Sequence, residues 1–97
     1  MKLEWSALAL ADRETIFDTI AADNPRTAVA VDQRISDRVN RLLRLPRSGR
    51  PGRINGTREM VITRTPYIVA YCIIGDTVRV LRVLHSARRW PDDMLDR

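Results

Sequence analysis

Residues 49–91 read GRPGRINGTREMVITRTPYIVAYCIIGDTVRVLRVLHSARRWP, and this stretch decides the fold. It opens with a loop rich in glycine, proline and arginine and then becomes apolar. Short runs of β-branched and aromatic residues between Gly or Pro breaks predict strands. Three such runs follow the loop: Arg58–Thr63, Tyr67–Ile74 and Thr77–His85. Because the breaks between the runs are short, we predict a three-stranded antiparallel meander.

The residues before this stretch predict one strand and two helices. Lys2–Trp5 alternates polar and apolar residues, as a short strand does. Ser6 is a suitable N-cap for a helix over Ala7–Ala22, and Asn24 followed by Pro25 predicts the start of a second helix. The apolar positions of the second helix recur at spacings of three and four: Ala28, Val31, Ile35, Val39 and Leu42. Since the break between the helices is short, we expect them to form an antiparallel hairpin.

These elements predict a single α+β domain over residues 1–97 in the order β-α-α-β-β-β. The helical hairpin is expected to pack on one face of a small antiparallel sheet. In the strand over Tyr67–Ile74, the alternate positions Ile68 and Ala70 are as apolar as Val69 and Tyr71. Both faces of the sheet should therefore be at least partly covered. We expect a partner to lie across the face that the helices leave open.

The chain is basic, which bounds its partners. Lys and Arg number 17 against 12 Asp and Glu, the formal net charge is +5, and Lys2 is the only lysine. Arginine favours planar, bidentate contacts with phosphate or carboxylate groups. The expected partner is therefore a nucleic acid or an acidic protein.

Cysteine and histidine are too few for the common metal sites. Cys72 is the only cysteine and His85 the only histidine, which excludes an internal disulfide and sites built from several Cys and His ligands. We expect no cofactor and no metal. No apolar segment is long enough for a membrane span and no export signal is evident. The sequence therefore predicts a cytoplasmic protein without membrane contact.

Four segments of the second half carry a resemblance to a known family. Residues 49–53 read GRPGR, 56–59 read GTRE, 66–71 read PYIVAY and 83–91 read VLHSARRWP. Together with the order of elements, they resemble the RelE/ParE toxin superfamily over nearly the whole chain. The resemblance implies a bacterial toxin of a type II toxin-antitoxin system. Such a toxin inhibits growth until a cognate antitoxin wraps around it in a hetero-oligomer and neutralises it.

The superfamily has two activities. RelE-like members are ribosome-dependent, metal-free endoribonucleases that cut mRNA, whereas ParE-like members poison DNA gyrase without being nucleases. RNA cleavage needs a base, an acid and cations around the reacting phosphate. Ile68 stands where the resemblance to RelE-like nucleases calls for a catalytic arginine, and Met94 stands near a family tyrosine. Because this set is incomplete, we favour a ParE-like toxin that binds a protein target such as DNA gyrase, with an mRNA interferase as the alternative.

Two sets of residues are candidates for function. If the chain is a nuclease, a rearranged site would use His85, Arg88, Arg58, Arg64 and Arg82. The surface that contacts the target or the antitoxin is predicted to include Arg50, Arg53, Arg58, Ile68, Ala70, Arg88, Arg89 and Trp90.

Several of these groups also have a structural interpretation. His85 ends a strand and can bond to the backbone or face the partner instead of acting as an acid. Trp90 can pack over the sheet edge. Arg47 and the neighbouring loop arginines could together bind phosphate. A stand-alone nucleic-acid-binding module is a weaker third hypothesis, because we identify no recognition helix rich in arginine.

Overall fold

A computed structural model of the chain describes residues 1–87. The elements in this part are β1 (Lys2–Trp5), α1 (Ala7–Ala21), α2 (Pro25–Arg41), β2 (Arg50–Pro51), β3 (Arg58–Val61), β4 (Tyr67–Ile74) and β5 (Thr77–His85). The predicted α+β class and the order of elements are confirmed, and β2 is a two-residue addition inside the arginine-rich loop, residues 46–57. Neither of the two helices is long and apolar enough to cross a membrane.

The strands form one sheet in the order β1-β5-β4-β3-β2. β3, β4 and β5 make the predicted antiparallel meander, in which Tyr67 lies opposite His85. β1 runs parallel to β5, with Trp5 opposite Val80, so the sheet is mixed where a purely antiparallel one was expected. Parallel neighbours need a long connection between them, and here two helices and three strands supply it.

Both helices begin at the predicted caps. The Oγ of Ser6 accepts a hydrogen bond from the backbone N–H of Ala9 at 3.0 Å. The Oδ1 of Asn24 accepts one from the backbone N–H of Thr27 at 3.1 Å. Pro25 occupies the first turn of α2, where its missing N–H would have had no partner within the helix. The break between the helices is therefore as short as the sequence indicates.

The main core lies between the helices and one face of the sheet. Of the five apolar positions predicted for the second helix, Ala28, Ile35, Val39 and Leu42 are fully buried and Val31 packs at the edge of the core. The sheet contributes fully buried side chains from β4 and β5: Val69, Tyr71, Val78 and Val80. Each large apolar side chain in this core stabilises the fold by about 1.5–3 kcal/mol through its removal from water.

A bulge in β5 joins the sheet to the start of α1. The pairing between β4 and β5 shifts register between Ala70 and Tyr71, which leaves Leu81 as the extra residue. The hydroxyl of Ser6 donates a hydrogen bond to the Leu81 carbonyl at 2.8 Å. Ser6, which immediately precedes α1, thus gives a hydrogen-bond partner to the carbonyl of a β5 residue that lies just past the pairing with β1.

The sheet face away from the helices carries a second, smaller apolar cluster. Ile68, Ala70 and Leu84 are 4%, 0% and 3% exposed, and Ile54 of the arginine-rich loop packs against them. This is the face across which a partner was expected to lie. At these three positions the side chains are buried in the isolated chain.

Tyr71 holds the beginning of the arginine-rich loop against the sheet. Its hydroxyl donates to the Pro46 carbonyl at 2.7 Å and accepts from the Gly49 N–H at 2.9 Å. Burial raises the pKa of this hydroxyl, so it stays protonated and can make both bonds. A Cβ at Gly49 would lie 2.5 Å from the hydroxyl oxygen, which explains the glycine.

We predict that Tyr71→Phe lowers the free energy of unfolding by about 1–3 kcal/mol, because it leaves a buried N–H and a carbonyl without their partner. Urea unfolding followed by circular dichroism measures the change. Tyr67→Phe is the matched control, since the half-buried Tyr67 makes no hydroxyl hydrogen bond within residues 1–87, and it should change stability by less than about 0.5 kcal/mol. Equal losses in the two variants would contradict the role assigned to Tyr71.

Candidate functional site

The arginine-rich loop is organised around one carboxylate. Glu59 on β3 is 4% exposed. Its Oε2 accepts from the backbone N–H and the Nε of Arg53 at 2.8 and 3.0 Å, and its Oε1 accepts from the Nη2 of Arg53 at 3.2 Å and of Arg50 at 3.3 Å. Arg50 keeps 56% of its side-chain surface exposed and Arg53 keeps 42%. Both arginines therefore face solvent while their hydrogen bonds to Glu59 fix their orientation.

The charge of Glu59 depends on these arginines. Burial alone raises the pKa of a carboxyl group, but hydrogen bonds from the side chain and backbone of Arg53 and from Arg50 outweigh it, and the pKa of Glu59 lies below its ordinary value. Glu59 is thus an ionised structural anchor. An acceptor held this way is a poor general base, because a base must take up a proton during the reaction.

Arg58 also serves the loop. Its Nη1 donates to the carbonyl of Gly49 at 2.7 Å and to that of Arg47 at 3.2 Å. Arg58 pairs with Pro51 of β2 through the backbone ladder. The side chain therefore closes the loop onto β3 and is half-buried in doing so.

A groove of about 350 Å³ lies between α1 and the end of β5, and Arg82 lines it. Asp12 of α1 accepts from the Nε and Nη2 of Arg82 at 2.8 and 2.9 Å and from the backbone N–H of Val83 at 2.9 Å. Both side chains are 14% exposed. The bidentate pair attaches α1 to the part of β5 that β1 does not reach, so Arg82 has a structural partner.

His85 lies in the same groove and is exposed. Its Nδ1 accepts a hydrogen bond from the backbone N–H of Ala87 at 3.1 Å, which assigns the proton of the neutral ring to Nε2. The ring meets Tyr67 edge to face, with 5.7 Å between the centroids and 83° between the planes. These contacts agree with the structural interpretation of His85 as a residue that finishes a strand.

Arg64 lies apart from this groove, at the turn between β3 and β4. It lines a second cavity together with arginines of α2. The sequence interpretation overlooked these arginines, although their spacing of four and three, at Arg34, Arg38 and Arg41, is the signal that could have identified them.

The predicted nuclease residues do not converge on one point among residues 1–87. His85 and Arg82 share the groove, but Arg82 is bound to Asp12, Arg58 is bound to loop carbonyls, and Arg64 lines a different cavity. The fifth nuclease candidate, Arg88, lies outside the described residues, as do Met94 and the contact candidates Arg89 and Trp90.

The predicted contact residues are divided in the same way. Arg50 and Arg53 are accessible, whereas Ile68 and Ala70 lie in the small buried cluster and present almost no surface. Their contact with a partner stays a prediction.

The described residues contain no evident metal site or reactive thiol. No three side chains of His, Cys, Asp or Glu come together among residues 1–87. Cys72 is half-buried, and burial raises the pKa of its thiol, which keeps it protonated. The described part of the site therefore consists of arginines, carboxylates and one histidine.

Glu59 gives a pH-dependent prediction. Because the pKa of Glu59 is lowered in the folded chain, its contribution to stability is present above the unfolded pKa and is lost as pH falls through the folded pKa. We expect Glu59→Gln to lower the free energy of unfolding at pH 7 by about 1–2 kcal/mol, since the arginine partners are partly exposed. The difference from the wild type should shrink as the pH is lowered through the acid range.

Urea unfolding between pH 7 and pH 3 measures this difference. Glu14→Gln removes an exposed carboxylate of α1 and serves as the control, with an expected change within about 0.5 kcal/mol. A deficit of Glu59→Gln that stays constant over the whole pH range would show that the charge of Glu59 is not what stabilises the loop.

Comparisons with known sequences identify the family. The family model described as the ParE toxin of the type II toxin-antitoxin system parDE matches residues 3–90. A candidate toxin of Sinorhizobium fredii, Y4kP, is 41% identical over 90 residues, which cover 93% of each of the two chains.

Two solved structures share the fold. A structure of the chromosomal ParDE toxin-antitoxin system from P. aeruginosa matches with a TM-score of 0.79 and 27% identity, over 88% of this chain and 95% of that one. The RelBE2 toxin-antitoxin complex from Mycobacterium tuberculosis matches with a TM-score of 0.58 and 27% identity, over 90% and 92% of the two chains. The family model spans most of the chain, and the fold agrees with it: the chain belongs to the ParE toxin family of type II toxin-antitoxin systems.

Proposed function

We propose that this chain inhibits bacterial growth by binding a protein target, DNA gyrase, in the cytoplasm, and that a cognate antitoxin neutralises it. One observation carries the proposal: arginines that a nuclease would need are bound to other groups of the chain. Arg82 is bound to Asp12 and Arg58 to loop carbonyls, and Ile68, which stands where the resemblance to RelE-like nucleases calls for a catalytic arginine, is buried. A site for cleaving RNA requires cations that can reach the reacting phosphate.

The comparisons support the same choice. The structural match to the ParDE system is closer than the match to RelBE2, with TM-scores of 0.79 and 0.58 at the same 27% identity. Both matching structures are of toxin-antitoxin systems, which supports an antitoxin as partner of this chain.

The arginine-rich loop suits contact with an acidic partner. Arg50 and Arg53 are oriented by Glu59, so little side-chain entropy remains to be lost when a carboxylate of the partner binds their exposed surface. Arg58, which directly follows the loop, donates a hydrogen bond to the Gly49 carbonyl near the beginning of the loop. We assign these three arginines to the partner surface. Arg88, Arg89 and Trp90 stay part of the proposal on the strength of the sequence alone.

Ile68 and Ala70 can contact a partner only if the loop above them moves. Both are buried in the isolated chain, and Ile54 packs against them. In this proposal they contact a partner only after the loop that carries Ile54 has shifted. Otherwise they act as the apolar support of the loop.

Expression in a bacterial host tests the proposed target. The chain is induced alone and together with the short reading frame expected beside its gene. We expect growth arrest that the second reading frame relieves, accumulation of cleaved gyrase–DNA complexes, and no cuts within translated codons in primer extension on total mRNA. His85→Ala should retain the wild-type toxicity within about twofold, because His85 has no part in a transition state.

Thr19→Ala is the matched control for His85→Ala, since Thr19 lines the same groove without a titratable group. Immunoblots check that all variants accumulate equally. Codon-specific mRNA cuts, with a loss of about 100-fold or more in His85→Ala, would replace the proposal by the endoribonuclease alternative. Absence of toxicity from the chain expressed alone would contradict both.

A further inference from the structure

Four of the six residues that line the second cavity are arginines. The cavity has a volume of about 280 Å³, and the residues around it are Arg34, Asp37, Arg38, Arg41, Thr63 and Arg64. The three arginines of α2 lie at spacings of four and three, which puts them on one face of the helix. Arg64 joins them from the turn between β3 and β4. Residues far apart in the sequence therefore assemble four positive charges around one opening.

This cluster lacks the carboxylates that hold the other arginines. Within residues 1–87, none of its four guanidinium groups makes an ion pair or a hydrogen bond. The nearby Asp37 accepts instead from the Nε2 of Gln33 at 2.9 Å. Like charges this close on a helix face repel one another, so the arrangement is destabilising without an anion.

Two further observations indicate that the cluster awaits a ligand. The Nε of Arg38 is the one buried side-chain nitrogen or oxygen of the described residues that has no hydrogen-bond partner, and such a donor is costly to leave unsatisfied. Arg64 has a φ of 64°, which makes it the one non-glycine residue with positive φ in the described part of the chain. Backbone strain of this kind is concentrated at functional sites.

We infer that the arginines of this cavity bind consecutive phosphates of a nucleic acid strand. Arg34 and Arg41 are seven residues apart on α2, about 10 Å along the helix axis, and each strand of B-DNA carries one phosphate per roughly 3.4 Å of axis. The cluster therefore matches the length of about three phosphates. Guanidinium groups bind phosphate oxygens in a bidentate manner.

An acidic peptide suits the cavity less well. Protein and peptide interfaces concentrate their binding energy in a few anchors seated in well-packed, desolvated pockets, and many of these anchors are aromatic. No apolar side chain lines this opening. Apart from the carboxylate of Asp37 and the hydroxyl of Thr63, the lining offers guanidinium groups, and such charged donors are how proteins contact the nucleic acid backbone without reading its sequence.

Fluorescence anisotropy with a labelled 20-base-pair duplex tests the inference, using the full chain and a series of salt concentrations. For the wild type we expect the logarithm of the binding constant to fall with the logarithm of the salt concentration with a slope of about −3, as for roughly three phosphate contacts. Arg34→Gln combined with Arg41→Gln should weaken binding at least about tenfold and make the slope about 2 units shallower.

The matched control removes the same charge elsewhere. Lys2→Gln combined with Arg26→Gln also lowers the net charge by two and alters exposed side chains outside the cavity. It should weaken binding by less than about threefold. Circular dichroism verifies the fold of each variant. Arg64→Gln, at an exposed turn, supplies an independent variant if the helix variant does not fold, and its slope should be about 1 unit shallower.

Competition identifies the source of the negative charge. Unlabelled duplex should displace the probe, whereas inorganic phosphate and poly-glutamate should act only through ionic strength. An equal loss in the cavity variant and the control pair would overturn the inference. Displacement by micromolar phosphate would assign the cavity to free phosphate instead, and poly-glutamate that competes as well as duplex would assign it to an acidic protein segment.

Discussion

Arginines outnumber the carboxylates available to pair with them, and this imbalance constrains the whole chain. The buried carboxylate of Glu59 is the clearest example. Seventeen basic residues face 12 acidic ones. Glu59 forms ion pairs with both Arg50 and Arg53. Asp12 forms an ion pair with Arg82 and also accepts a hydrogen bond from a backbone N–H of β5. A charged group that leaves water needs partners of opposite charge, so the position of each carboxylate decides which arginine becomes part of the structure.

This division makes the arginine-rich loop a structural element as much as a contact surface. Glu59 holds its middle, Arg58 closes it onto β3, and Tyr71 holds its beginning at Pro46 and Gly49. A loop held at three points can present its remaining polar surface in one conformation. Pre-organisation of this kind reduces the entropy that binding costs, which is consistent with a surface made for a protein partner.

The sequence predicted the local features well and the long-range ones poorly. The bounds of β4 and β5 and the caps at Ser6 and Asn24 follow from residues adjacent in the chain, and the structure has them as predicted. The parallel pairing of β1 with β5 depends on residues more than 70 positions apart, for which the local pattern contains no information.

The contacts that bury or pair the site residues also depend on segments that are far apart in the sequence. A glutamate in an alternating strand is expected to face solvent, and only the loop folding back over β3 buries Glu59. The pairing of Arg82 with Asp12 depends on α1 packing beside β5, and the sequence alone does not reveal this packing. The three arginines of α2 were visible in their spacing, but their meeting with Arg64 requires the turn after β3, with a positive φ that the sequence does not indicate.

The two arginine surfaces lie at opposite ends of β3, since the loop precedes this strand and the turn with Arg64 follows it. A strand of four residues spans about 13 Å, so the two surfaces are near enough for one large partner to contact both. A protein target that holds DNA offers an acidic protein surface and a phosphate backbone side by side. Glu59 keeps the arginines at one end oriented, whereas the arginines at the other end make no ion pair among the described residues, although Asp37 lies beside them, and are left for an external anion. The proposed protein target and the proposed phosphate contact are therefore compatible in geometry, and each rests on its own set of arginines.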